Sequence, residues 1–186
     1  MKKFQIGIIF FLFSYLLVGC QQTLTTQNEL DTNDHVEGFV EPEPSDWVEY
    51  SKPVREYMYY RTQAVIKNDI NILWKRYPEL KKTINVEEGI NLEKNEVETL
   101  NNGFKVLDAN YDIENYERIK VKKIDENEMI VLVHGSLLYL LDDFEETGGE
   151  YLMKVFLKRN GEQWDVVKTD EYTLLEYKKW IKQKNE

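Results

Sequence analysis

The segment Met129–Leu141 (MIVLVHGSLLYLL) constrains the chain more than any other. Successive side chains in a strand point to opposite faces, so a strand with one wet face shows a polar residue at every second position. Here Val131, Val133 and Leu137 load one parity while Ile130, Leu132 and Leu138 load the other. The segment therefore reads as a long strand packed on both faces. Gly135 inside it predicts a bulge or a sharp bend. A chain holding such a strand needs partner strands along its edges and apolar cover over each face.

The neighbouring sequence offers both. Tyr116–Ile124 alternates and is followed by an Asp-Glu-Asn-Glu turn at 125–128. A loop through Gly148-Gly149 leads to a strand over Tyr151–Leu157. Asn160-Gly161 predicts a hairpin turn with positive φ at both centres, and Trp164–Thr169 closes the sheet. Upstream the apolar period becomes helical. Ser51 is placed to cap a helix entered through Pro53, with Val54, Tyr57, Met58, Ala64 and Val65 on one face and Arg61 interrupting it. Asn68-Asp69 predicts a break, after which Ile70, Leu73, Trp74 and Tyr77 form a second apolar stripe stopped by Pro78. Trp74 is expected to be buried between this helix and the sheet. A short helix over about 94–102 should end at Gly103. Thr173-Leu-Leu-Glu176 has capping-box spacing and predicts a terminal helix that turns Leu174, Tyr177 and Ile181 inward. Helices followed by antiparallel strands give an α+β fold, with N-terminal helices on a bent, cone-like sheet and an extra C-terminal helix.

The N-terminus imposes a different constraint. Met1-Lys2-Lys3 precedes fifteen nearly unbroken apolar residues, Phe4 to Val18, a run too short for a permanent span and suited to a signal peptide. It ends Leu17-Val18-Gly19-Cys20, and Cys20 is the chain's one cysteine. An internal disulfide, a zinc knuckle and a thioredoxin-like pair are excluded by that count. These four residues resemble the lipobox of bacterial lipoproteins. The resemblance implies cleavage between Gly19 and Cys20, acylation of Cys20, and residence on the outer face of a cell membrane.

Residues 21–45 hold six acids, no Lys or Arg, and the prolines Pro42 and Pro44. They read as a disordered acidic tether in which His35 is solvated. Three parts follow: a signal peptide over 1–19, a tether over 20–45, and one domain over 46–186. That domain has 141 residues and 18 aromatics, enough for a core without staples. The formal charge of −10 over the whole chain argues against nucleic acid as a partner.

The helix break at Asn68-Asp69, the Leu73-Trp74…Tyr77-Pro78 ending and the Gly161…Trp164-Asp165-Val166-Val167 hairpin resemble the nuclear-transport-factor-2-like, or cystatin-like, cone fold. The resemblance covers most of residues 53–169 and implies an interior that is filled by side chains or open to a ligand. Enzymes of that fold often place a His or Asp inside the cone.

Few residues point to chemistry. His134 is the domain's one histidine. It is the candidate base of an enzyme reading, with Asp112 or Asp142 as carboxylate partner, yet no acid lies within its strand before Asp142 and no Gly-x-Ser-x-Gly elbow surrounds Ser136. Asp108, Asn110, Asp112 and Glu114 alternate like a calcium loop, but Ile113 replaces the turn glycine and Ile119 the twelfth-position Glu. They read as an acidic loop before the first strand. The acids Asp142, Asp143, Glu145 and Glu146 read as a solvated strand end. No metal or cofactor is expected. Tyr57, Tyr60 and Trp74, with His134, are the candidate pocket, and Tyr59 adjoins them. The favoured reading is a membrane-anchored, non-enzymatic module for a partner protein of the envelope or a small apolar ligand. The rivals are the His134 enzyme and a purely structural envelope subunit.

Acylation at Cys20 makes a direct prediction. Wild-type protein should partition into detergent and incorporate a fatty-acid probe, and Cys20→Ala should do neither, because stable anchoring requires more than one acyl chain's worth of buried methylenes. Unlabelled wild-type protein in the aqueous phase would remove the lipoprotein reading.

Overall fold

The long apolar segment is the central strand of a five-stranded antiparallel sheet. The computed structural model describes residues 38–84, 89–113 and 118–172, with Lys178 and Lys182, all within the compact unit Thr32–Glu186. The elements are α1 (Trp47–Ile66), α2 (Asn71–Arg76), a short 3-10 helix (Pro78–Lys82), α3 (Leu92–Leu100), β1 (Val106–Asp112), β2 (Ile119–Lys123), β3 (Glu128–Leu141), β4 (Glu146–Asn160) and β5 (Gln163–Tyr172). β3 pairs with β4, and β4 with β5. Two strands share the other edge of β3: β1 takes Ser136–Leu141 and β2 takes Met129–Val133. Register shifts between Val106 and Asp108 and between Phe156 and Leu157 bend the sheet. The α+β architecture with N-terminal helices on a bent antiparallel sheet is the expected one.

The main core lies between the helices and one face of the sheet. Met129, Val131, Val133, Leu137 and Tyr139 of β3 meet Val54, Tyr57, Met58 and Val65 of α1, with Leu73, Leu80 and Val97 closing the sides. On the opposite face, among the described residues, Leu132 and Leu152 are buried with Phe39 and Tyr172 packed against them. Leu138 is exposed. Among the described residues, two aromatic side chains cover on the second face of β3 the place that α1 holds on the first.

Phe39 also changes the expected start of the domain. Val40 exchanges backbone hydrogen bonds with Val121 of β2 at 2.9 and 2.8 Å, and Pro42 is buried. The expected tether therefore meets the domain here: Val40 is held by backbone pairing with its side chain exposed, while Phe39 packs on the sheet and gains from leaving water. α1 begins at Trp47, so Ser51 and Pro53 lie inside it and Ser51 is not its cap. Trp47 and Tyr50 extend the apolar face backward and bring that extra turn into the core.

Local chemistry explains the other elements. Asp69 Oδ1 accepts from the Asn71 backbone N–H at 3.0 Å, restarting the helix after Asn68, whose φ is +49°. Asn91 caps α3 by accepting from Lys94 N at 2.9 Å, and Gly103, at φ +91°, follows its end. The segment read as an acidic loop is β1, whose Val106–Leu141 and Ala109–Tyr139 pairings anchor it. The strand expected from Tyr116 is described from Ile119. Gly148 and Gly149 belong to β4, opposite Leu138 and Leu137, and the turn falls instead at residues 142–145. A Cβ at Gly148 would lie 2.1 Å from the Leu137 carbonyl oxygen, so the glycine permits close strand approach. In the β4–β5 turn only Gly161 has positive φ, so one left-handed centre suffices there. The expected signal peptide over 1–19, with Cys20, His35 and the residues Leu174, Tyr177 and Ile181 of the expected terminal helix, lies outside the described residues, though Lys178 and Lys182 are helical.

Gly135 makes no bulge, since β3 and β4 stay in register through it. It sits where the outer edge passes from β1 to β2, with the cross-strand Tyr151 over it. A Cβ there would lie 2.4 Å from Tyr151 Oη and 2.5 Å from the Asp112 carbonyl oxygen. Gly135→Ala should cost about 1–3 kcal/mol through overpacking, read as a lower urea midpoint at unchanged m-value. A neutral result would mean that Tyr151 is free to leave.

Candidate functional site

Arg61 is the residue that interrupts the apolar stripe of α1. One helical turn after Tyr57, it faces the sheet and is 6% exposed. A buried guanidinium is tolerable only among carboxylates and acceptors. Arg61 Nε lies 2.6 Å from Glu96 Oε2 and Nη2 lies 3.0 Å from Glu96 Oε1, a two-pronged grip. Nη1 bonds Glu171 of β5 and approaches Met153 Sδ of β4 at 3.8 Å. Tyr139 of β3 donates its hydroxyl to Glu96 Oε1 at 3.0 Å.

A second carboxylate lies one turn earlier on α3. Glu93 is 2% exposed and accepts from the Tyr57 hydroxyl at 3.1 Å and from Thr169 Oγ1 at 2.5 Å. Glu93 and Glu96 share a helix face by their i, i+3 spacing, and Thr169 and Glu171 share a strand face by theirs. One cation and three carboxylates thus tie α1, α3, β3 and β5 together. Burial raises the Glu96 carboxyl above its ordinary value, and Arg61 offsets only part of that rise. Burial acts against the charge of Arg61, but Glu171 and Glu96 outweigh it and hold the guanidinium protonated. Burial and adjacent carboxylates raise the Tyr57 and Tyr139 hydroxyls, so both act as neutral donors. The named groups bond one another, which makes this a lock between elements.

A smaller clamp ties the other end. Arg76 bonds Glu56 of α1 at 2.8 Å and Asp165 of β5 at 2.9 Å, with its guanidinium 4.6 Å from the Tyr77 ring centre.

The structure brings two of the four candidate pocket residues, Tyr57 and Tyr60, to one ring and puts His134 on the other face of the sheet. Tyr57 is fully buried in the lock, and Tyr57 and Tyr60 meet the Tyr77 ring at 6.1 and 6.0 Å. Tyr59 is exposed. Trp74 is half-buried beneath Lys81, whose Nζ is 5.4 Å from its ring, and Leu73 takes the fully buried place expected of Trp74. His134 is buried on the other face of the sheet, opposite Leu152 and on the parity of Leu132. Asp112 pairs with Ser136, on the same face as His134, and lies 3.8 Å from Arg118. Asp142 sits in the exposed turn at the strand's end. Among the described residues no group of His, Cys, Asp and Glu is arranged to hold a metal ion.

The sequence reading missed Glu93, Glu96, Tyr139, Thr169 and Glu171. The available signal was Arg61 on an apolar stripe together with two acids at helical spacing in α3. Neither shows which strand completes the lock.

No family model matches the chain, and no curated protein matches it in sequence. Solved structures similar to it include Aln2 from a Streptomyces species, at 9% identity and a TM-score of 0.47, over 78% of this chain and 99% of that one. A putative calcium/calmodulin-dependent protein kinase II association domain from Xanthomonas campestris is 12% identical with a TM-score of 0.45, over 70% of this chain and 90% of its own. An NTF2-like protein of unknown function from Shewanella baltica is 12% identical with a TM-score of 0.37, covering 68% of this chain and 96% of its own. At such scores no residue role passes from them to this chain.

The raised Glu96 carboxyl predicts a pH dependence. Because the folded state binds this proton more tightly than the unfolded chain, its contribution to stability is lost as pH rises from the ordinary carboxylate value through the raised one. Urea titrations across that window should show wild-type stability falling relative to Glu96→Gln. A parallel pair of curves would mean that Glu96 is ordinary.

Proposed function

We propose that the chain is a lipid-anchored, non-enzymatic binding or accessory module on the extracytoplasmic face of a cell membrane, and that it engages a partner protein of the envelope through its surface. One observation carries this reading. The space between α1 and the sheet is occupied by the chain's own Tyr57, Met58, Arg61 and Met153, all buried, with Arg61 bonded to Glu96 and Glu171. An interior held in this way favours a surface partner over a small apolar ligand inside the cone. The location of His134 on the opposite face, beside Leu132 and Leu152, likewise favours a module over the acid–base enzyme. No helix among the described residues is long and apolar enough to cross a membrane. Attachment in this reading is through Cys20, on the lipobox resemblance of Leu17-Val18-Gly19-Cys20.

The test is complementation of a deletion strain. His134→Gln should restore the phenotype at permissive temperature with a modest fall in thermal midpoint. Loss of the phenotype with the midpoint unchanged would overturn the non-enzymatic reading.

A further inference from the structure

Three large apolar side chains stand in water at one end of the sheet, each at a break in regular backbone. Phe144, in the β3–β4 turn, is 79% exposed and has φ of +68°. That left-handed conformation suits Gly or Asn, and a bulky residue there is a genuine outlier. Leu107, 41% exposed, is the extra residue between Val106, opposite Leu141, and Asp108, opposite Leu140. Phe104, 50% exposed, lies between Gly103 and the start of β1. The turn is tied to this end by the Phe144 N–H donating to the Leu141 carbonyl oxygen at 3.0 Å.

Folding alone gives no reason for this choice. Asn in the turn and a polar residue in the bulge would relieve strain and exposure together. Bulges re-aim side chains at sheet edges, and strained residues collect where a surface is used. An exposed apolar patch with a polar rim is the ordinary mark of an interaction surface, and aromatic residues are its usual anchors.

The rim identifies the partner's charge. In the two segments that carry the patch, 104–108 and 142–146, the exposed Asp108, Asp142, Asp143, Glu145 and Glu146 stand beside the apolar residues in the chain, and Lys105 is the one base. None of those five acids takes part in an ion pair among the described residues. We propose that Phe144, Leu107 and Phe104 form a docking surface for a basic amphipathic helix of a partner protein. Its apolar face covers the three side chains and its Lys and Arg residues meet the acidic rim. This deepens the surface-binding reading above and rests on it. An anionic lipid surface is disfavoured as the occupant by the same acids.

The experiment uses the full chain in phosphatidylcholine nanodiscs, with empty discs subtracted, and a synthetic Lys/Leu amphipathic helix as the probe. The helix should bind with an affinity that falls as salt rises. Phe144→Asn should weaken binding about tenfold while leaving the thermal midpoint equal or higher, because Asn accepts positive φ. A residue serving only the turn would move the midpoint and leave binding alone. A Glu/Leu helix of the same length should not bind. The proposal falls if the Lys/Leu helix fails to bind, if Phe144→Asn binds it as well as wild type, or if the Glu/Leu helix binds equally. It also falls if phosphatidylglycerol vesicles are captured through Phe144, which would give the surface to lipid. Each of these outcomes is independent of complementation by His134→Gln, so this surface and the non-enzymatic reading can fail separately.

Discussion

The fold depends on how Arg61 is held. A guanidinium sealed under α1 would be intolerable alone, and it is stable here because Glu96 and Glu171 reach it from α3 and β5. These partners come from positions 35 and 110 residues further along the chain. The lock therefore closes only when helix, short helix and last strand have all arrived, which specifies one arrangement of layers. Apolar contacts alone would tolerate several such arrangements.

The sheet has its own form of specification. β3 offers apolar residues on both parities, so hydrophobic pattern alone would not resist a one-residue slip that turns every side chain over. Gly135 removes that ambiguity. Only a residue without Cβ fits beneath Tyr151 and beside the Asp112 carbonyl oxygen, so β4 and β1 are both fixed in register at the same point. That choice sends Tyr139 toward Glu96 and His134 to the opposite side.

The general plan was legible from the sequence. The period change, the Asn68-Asp69 break and the long central strand all stand. Elements whose cues were local but misleading were not read correctly. Gly148-Gly149 resembles a loop because glycine is common in turns, yet it is needed inside β4 where the Leu137 carbonyl comes close. Asp108–Asp112 resembles a loop because it is polar, yet its exposed carboxylates are the wet side of a strand held by pairing to β3. The candidate site was the least legible, because its members are scattered from Tyr57 to Glu171 and become neighbours only through tertiary packing.

The β3–β4 hairpin has a mechanical consequence. Its thirteen consecutive residue pairs run from Glu128–Lys158 to Leu140–Glu146 without a register shift, a stiff arm roughly 40 Å long at about 3.4 Å per residue. A load applied at the turn and directed along the strands pulls β3 and β4 together, so it is carried in shear by the many rungs that join them to β1, β2 and β5. A load directed across them would peel the hairpin from β1 one rung after another, starting at the turn end. The domain should therefore resist tension along this arm far better than tension across it, and direction of pull becomes a property built into the strand pairing.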